Sequence, residues 1–354
     1  MRINFILPPL GESGGTKVIF RYAEELRLRG HSVYVYLPVT GLGLHRYSNV
    51  LLNWLHNAYS FLKGLLEIVK NPNKGHYILR GISLFVRDAD VTIATAWPTA
   101  YVVQKLSSSK GKKFYFIQDF EIWDNRQRGL QSYKLPLKKI VISEWINDQL
   151  KENLDIGPFP VVHNGLDSPE QKEVSAKKDP YSILMLNHRL SKKGVKYGLE
   201  AFRLAKREEP KIHLTMFGMN DSSNLPRDLD IRYFQNPSIL LLQQLYQEAA
   251  IFIFPSIEEG WGLTPLEAMS YGNLLIGSDV GFAKEIGLNG ENMLISSPRD
   301  SKSMAANMVK VIRNESFREL ISEQAKKTTR ALDWEKSAEL FEKIIVYSQE
   351  EFEC

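Results

Sequence analysis

Two glutamates, Glu259 and Glu267, stand with seven residues between them in the segment Phe254-Pro255-Ser256-Ile257-Glu258-Glu259-Gly260-Trp261-Gly262-Leu263-Thr264-Pro265-Leu266-Glu267-Ala268-Met269. The register is unique, because Glu258 would pair with Leu266. The segment leaves an apolar strand, crosses a Gly-x-Gly loop and enters a helix. Such a loop exposes backbone N–H groups to an anion or to sugar hydroxyls. A carboxylate at each end accepts hydrogen bonds from hydroxyls. Thr264-Pro265-Leu266-Glu267 also has the form of a capping box, with Thr264 as N-cap, Pro265 at the first helical position and Glu267 at the third. Glu267 therefore reads either as a ligand contact or as a tie on the helix start. Glu259 has no such local duty, and reads as a ligand contact or as a solvated carboxylate.

Arg189 and Lys193 follow a predicted strand, in Asn187-His188-Arg189-Leu190-Ser191-Lys192-Lys193-Gly194. The C-terminal ends of parallel strands are where open α/β sheets bind ligands. An arginine fork with a lysine point charge suits a pyrophosphate, and a solvated basic loop is the plainer reading. Gly14-Gly15 lie between a first strand and a helix, where backbone can approach an anion at the helix N-terminus, or simply turn. No G-x-G-x-x-G is present there, so the dinucleotide fingerprint is absent.

Other chemistries lack their residues. The seven histidines are scattered without metal-ligand spacing, and there is neither a G-x-S-x-G elbow nor a phosphate-binding G-x-x-x-x-G-K-[ST]. The one cysteine, Cys354, excludes a disulfide framework and a Cys-rich zinc site, and fits a reducing compartment. Residues 1–165 carry 21 Lys and Arg against 13 Asp and Glu, a net charge of +8, while the remainder is net acidic. A basic front half suggests an anionic partner or a surface that happens to be basic. The apolar run at the start is too short for a secretory signal, and the sequence has no run of about 18 apolar residues of the kind that spans a bilayer.

These residues need elements to hold them. The 354 residues allow roughly two domains, and 44% hydrophobic with 24% charged residues is an ordinary globular balance. Ile3–Leu7, the helix Thr16–Arg29 and Ser32–Leu37 form a βαβ unit, which implies a parallel sheet. Further strands are expected at Val91–Thr95, Phe114–Ile117, Ile140–Ile142 and Val161–His163, with a helix over Ser143–Asn153. The polar stretch from Asp167 to Pro180 reads as a linker. The grammar then repeats. Strands are expected at Ser182–Leu186, Ile212–Phe217, Ile251–Phe254 and Leu274–Gly277. Helices are expected over Val195–Lys206, Ser238–Gln247, from near Thr264, over Ser301–Arg313 and Ser316–Arg330, and from Trp334 to about Glu350. Leu51–Lys70 has helical amphipathicity with a wide apolar face. It reads as a helix packed on a sheet or as a surface helix in peripheral contact with membrane or a lipid-linked substrate.

Taken together, these residues resemble glycosyltransferase family 4, whose fold is GT-B. Glu259 to Glu267 matches the family's E-x7-E motif within E-G-[FW]-G-L-x-P-L-E-A-M, and Gly272, Ser278-Asp279-Val280-Gly281 and Glu285-Ile286 match its continuation. Arg189-Leu190 with Lys193-Gly194 resembles the phosphate-binding pair, although the spacing, one residue shorter than a frequent version, leaves Lys192 or Lys193 to face the phosphates. Gly14-Gly15 with Arg29-Gly30-His31 resembles the family's opening, and Val162 to Asp167 its approach to the linker. The resemblance covers nearly the whole chain. It implies two Rossmann-like α/β domains facing a cleft. These are an acceptor-side domain (1–166), a linker (167–180), a nucleotide-sugar domain (181–333) and a helix (334–354) returning to the first domain. It further implies a retaining transferase that moves a sugar from a nucleoside-diphosphate-sugar to a glycan or lipid-linked acceptor in cell-surface polysaccharide synthesis. Such an enzyme needs no metal or other cofactor, takes no nucleic acid, and works in the cytoplasm or at the inner membrane face. By that match Arg189 and Lys193 hold the diphosphate and Glu259 contacts the donor sugar. Gly14, Gly15, Gly260, Trp261, Gly262 and Leu263 line the donor, and Glu267 holds the ribose. Many relatives have a histidine after the strand matching Phe114–Ile117. Here Gln118-Asp119-Phe120-Glu121 follows, a pattern similar to bacterial polysaccharide-assembly members including rhamnosyltransferases, with Asp119 as an acceptor-side candidate. A nucleotide-sugar epimerase of the same fold and a non-catalytic nucleotide-sugar or glycan binder are the alternatives.

Overall fold

The computed structural model describes residues 1–8, 14–38, 58–59, 62, 76–78, 85–167, 169, 178–223 and 225–347. The amphipathic stretch expected over Leu51–Lys70 lies, but for three positions, outside the described residues, and so does most of the stretch from 167 to 177. The chain forms two compact units, Met1–Asn164 with Trp334–Cys354, and Gly165–Asp333.

In the first unit the chain runs β1 (Arg2–Ile6), α1 (Gly14–Leu28), β2 (Ser32–Pro38), β3 (His76–Ile78), β4 (Val91–Ala94), α2 (Trp97–Gln104), β5 (Lys112–Ile117), α3 (Arg126–Ser132), β6 (Lys138–Val141) and α4 (Glu144–Leu154). The strands form one sheet in the order β3-β2-β1-β4-β5-β6, and every pairing is parallel. The strand expected over Val161–His163 is instead a single bridge between Val141 and Val161. Pro158 and Pro160 both precede it and cannot donate to a ladder.

The second unit runs β7 (Asp179–Leu186), α5 (Val195–Glu208), β8 (His213–Gly218), β9 (Ile231–Gln235), α6 (Ile239–Glu248), β10 (Ala249–Phe254), α7 (Leu263–Ser270), β11 (Leu274–Ser278), α8 (Ala283–Ile286), β12 (Leu294–Ser296), α9 (Ser301–Arg313) and α10 (Glu315–Arg330). Its strand order is β12-β11-β10-β7-β8-β9, again parallel throughout. β10 is buried at every position, as its unbroken apolar run Ala249 to Phe254 requires of a strand covered on both faces. α5 buries Val195, Leu199 and Phe202 on one stripe. Side chains of Ser238, Asp300 and Asn314 cap α6, α9 and α10 by accepting from Leu241, Ser303 and Phe317 N–H.

The chain then returns to the first unit as α11 (Trp334–Tyr347). Phe341, fully buried, sits 5.1 Å from Tyr22, 5.0 Å from Phe116 and 6.2 Å from Phe5, ring centre to ring centre. The core of the first unit is therefore completed by residues from the far end of the sequence.

Both sheets reverse their winding once, between β1 and β4 and between β7 and β10. At such a switch point the loops leaving two neighbouring strands run apart and open a crevice beyond their carboxyl ends.

Candidate active site

The crevice of the second sheet is bounded by the loop after β7, Asn187 to Gly194, and the loop after β10, Pro255 to Gly262. The two loops are stitched together. Ile257 N–H donates to the Lys192 carbonyl at 2.7 Å. Gly194 has φ +64, and a Cβ there would lie 1.9 Å from the Pro255 carbonyl oxygen, so only glycine lets the backbones meet.

Beside these contacts Lys193 meets Glu259. Lys193 Nζ donates to Glu259 Oε1 at 2.7 Å and Oε2 at 2.6 Å, and Ser256 Oγ donates to Oε2 at 3.2 Å. The Lys193 and Glu259 side chains are only 21% and 14% exposed, so the pair is partly withdrawn from water, where charge-assisted bonds strengthen. Gly281 backs the carboxylate: it has φ +57, and a Cβ would lie 3.1 Å from Glu259 Cβ and 2.5 Å from the Trp261 carbonyl oxygen.

Arg189 leaves the same loop but ends elsewhere. Its side chain is 59% exposed, and it pairs with Asp221 at 3.1 Å in the loop after β8. Hydrogen bonds from Ser223, and then from Arg189, hold the Asp221 carboxyl below its usual range. His188 Nδ1 accepts from Leu190 N–H at 3.0 Å, and burial, reinforced by the Lys193 charge, lowers its pKa. A neutral imidazole thus sits beside the Lys193–Glu259 pair at neutral pH.

The capping box expected at Thr264 to Glu267 is not how this helix starts. α7 opens at Leu263 with Gly262 as N-cap at φ 102, so Thr264 lies inside the first turn and Glu267 falls beyond the N3 position. A glycine free to take positive φ ends the loop earlier than a threonine cap would. Glu267 Oε2 instead accepts from the buried Tyr246 hydroxyl at 2.8 Å. Burial, and then the Glu267 charge, push the Tyr246 pKa well up. Gly260 is buried, and Trp261 is 2% exposed with its ring edge-on to Phe282 at 6.3 Å. Its carbonyl accepts from Phe282 N–H at 2.9 Å. Trp261 is therefore a core side chain in the loop, while Gly262 and Leu263 stay partly open.

The remaining candidates belong to the first unit. Gly14 opens α1 and is exposed, and a Cβ at Gly15 would lie 3.3 Å from Gln118 Oε1. That oxygen is buried and has no hydrogen-bond partner among the described residues. Asp119 Oδ1 accepts from Phe120 N–H at 2.9 Å, and its carbonyl accepts from the Tyr133 hydroxyl at 3.4 Å. Glu121 is buried and ties down the start of α2: its Oε2 accepts from Trp97 N–H at 2.7 Å and from the Tyr115 hydroxyl at 3.2 Å.

Residues 167–328 match the family described as glycosyl transferases, group 1. The matched residues make up most of the second unit. The Lys193–Glu259 pair and Glu267 all lie inside the matched residues. The capsular polysaccharide biosynthesis glycosyltransferase CapM of Staphylococcus aureus is 25% identical over 176 residues, 48% of this chain and 46% of that protein. The chain spans about half the length of the curated relatives it matches. Among solved structures, Anabaena Alr3699/HepE in complex with UDP and glucose superposes with a TM-score of 0.71 at 15% identity, over 98% of this chain and 100% of that one. WaaG, a glycosyltransferase involved in lipopolysaccharide biosynthesis, does so with a TM-score of 0.68 at 14% identity, over 97% and 99%. The fold is that of the GT-B glycosyltransferases, two parallel-sheet α/β domains in series.

Local spacing did not mark Ser256, Tyr246 and Asp221 as partners of the second unit's charged groups. Tyr246 precedes Glu267 by 21 positions and Asp221 follows Arg189 by 32, so no local spacing marks them. Among the described residues no three His, Cys, Asp or Glu side chains gather as a metal-ligand set, and no helix is long and apolar enough to cross a membrane.

Proposed function

We propose that the protein is a retaining glycosyltransferase that moves a sugar from a nucleoside diphosphate to a glycan or lipid-linked acceptor in cell-surface polysaccharide synthesis, without a required cofactor. The observation that carries this reading is the Lys193–Glu259 pair at the switch point of the second sheet, within the residues that match the group 1 glycosyl transferases. A sugar diphosphate answers both partners at once. Its phosphates meet Lys193, and its sugar hydroxyls donate to Glu259. Arg189, exchanging Asp221 for phosphate, adds a second cation. Glu267 takes the ribose, its Tyr246 bond fixing the carboxylate's orientation. As the bond from the anomeric carbon to the diphosphate breaks, the leaving group gains negative charge, which fixed cations and loop N–H groups stabilise. The acceptor oxygen bonds to that carbon from the face the diphosphate leaves, and its proton passes to the departing phosphate. CapM's capsular polysaccharide, WaaG's lipopolysaccharide and the UDP and glucose of HepE support the substrate class.

A thermal-shift screen with UDP, GDP, dTDP and ADP tests the donor site. One nucleotide at about 100 times its Kd adds about 2.7 kcal/mol of stability. The shift is expected to vanish in Lys193→Ala. Glu259→Ala is expected to stay folded and to lose turnover of the matching nucleotide-sugar by about 100-fold or more. Full turnover in Glu259→Ala would overturn the assignment.

A further inference from the structure

We infer that the loop carrying Trp123, Arg126 and Arg128 in the first unit is a subsite for an anionic pyranose, a sugar ring bearing a phosphate or a uronate, on the acceptor. The inference rests on the transferase reading for the word acceptor, but not for the binding itself. The loop leaves the carboxyl end of β5, the same sheet edge from which Gly15 and the start of α2 emerge.

Its backbone is closed on itself. Asn125 N–H donates to the Trp123 carbonyl at 2.7 Å, Gly129 N–H donates to the Asn125 carbonyl at 2.8 Å, and the Asn125 side chain accepts from Arg128 N–H at 3.0 Å. Gly129 packs so closely that a Cβ would lie 2.6 Å from the Glu121 carbonyl oxygen. Glu121 in turn holds Trp97 N–H, so the loop and α2 move as one piece. Held there, Trp123 is 42% exposed, with its ring centre 5.5 Å from buried Trp97 at an interplanar angle of 57°.

A large apolar ring kept partly in water on a fixed mount is a stacking face. The C–H side of a pyranose is a fitting occupant, because it covers the ring while its hydroxyls stay hydrated. Charge narrows the occupant further. The Arg128 guanidinium lies 5.6 Å from the Trp97 ring centre and 5.2 Å from that of Tyr101, and the Tyr101 hydroxyl donates to the Arg128 carbonyl at 2.9 Å. Among the described residues neither Arg128 nor exposed Arg126 meets a carboxylate. A guanidinium within cation–π reach of aromatic rings is weakly hydrated and keeps its edge donors for a planar or tetrahedral oxyanion. The net charge of +8 over residues 1–165 favours the same sign of ligand at longer range.

Isothermal titration with three probes tests this: a glucuronate-terminated trisaccharide, its neutral glucose counterpart and a hexose 1-phosphate. The two charged probes separate a uronate from a phosphate. The unaltered protein is expected to prefer a charged probe over the neutral one by about tenfold. Trp123→Ala is expected to lose about tenfold in affinity, and Trp123→Phe, which keeps a stacking ring, to retain most of it. Arg128→Gln is expected to erase the preference for charge. An unchanged nucleotide shift in each variant shows that the second unit is intact. Equal affinity in Trp123→Ala and the parent, or no binding of any probe, would overturn the inference. Trp123-dependent glycan binding in a protein that no nucleotide shifts would sink the transferase reading and leave this one standing.

Discussion

Glu259 and Lys193 are 66 positions apart, yet each is the main partner of the other's charge. Glycines lie beside both groups: Gly194 follows Lys193 and meets Pro255, and Gly281 lies against Glu259. Gly281 is the sharper case, with positive φ and no room for a Cβ against Glu259 and Trp261. Gly281→Ala is expected to cost about 1–3 kcal/mol of stability from backbone strain. It is also expected to push Glu259 off Lys193. Denaturant unfolding reads the first effect and nucleotide-sugar turnover the second. A variant that is destabilised yet turns over normally would show that Glu259 tolerates displacement.

At the scale of elements, the end of α6 is tied down by the amino group of Lys178. Lys178 Nζ donates to the Tyr246 and Ala249 carbonyls at 2.8 Å each, and Asn273 Nδ2 also reaches the Tyr246 carbonyl at 3.1 Å. The same turn carries Tyr246, the partner of Glu267. Burial, with the like charge of Lys326 as a lesser cause, lowers the Lys178 pKa from 10.5 to about 7. The unfolded chain therefore holds a proton between about pH 7 and 10.5 that the folded unit gives up. Stability contributed by this group rises with pH through that window, by about 1.4 kcal/mol per pH unit. Lys178→Met is expected to flatten the rise. Urea midpoints at pH 7, 8 and 9 for the two proteins check it, and parallel slopes would refute it.

For the whole molecule, the return of α11 makes the first unit depend on both ends of the chain. Phe341→Ala removes a fully buried ring from the contacts of Phe5, Tyr22 and Phe116, and is expected to cost the first unit about 3–5 kcal/mol. The nucleotide-shifted transition of the second unit, whose core is built from its own residues, is expected to stay where it was. Calorimetry with and without nucleotide separates the two; a common fall of both transitions would show that the units unfold as one.

Local rules determined much of this protein. Apolar runs marked β1, β4, β7 and β10, with Pro8 and Pro255 closing the first and the last, and helical periodicity marked α5 and α9 with nearly their observed ends. Gly260, Gly262, Glu259 and Glu267 were legible because their spacing within one loop and one helix is itself the signal. Short edge strands such as β3, β9 and β12 were not, because three to five residues carry too little periodicity. What only the tertiary structure decided is pairing across distance. It chose Lys193 over Lys192 for Glu259, sent Arg189 to Asp221, gave Glu267 to Tyr246 instead of to its own helix start, and mounted Trp123 on Trp97. A sequence states which groups are available and how neighbours along the chain are turned. Which distant groups meet depends on strand order and on backbones that touch, as at Gly194 and Pro255, and those follow only when the whole sheet has assembled.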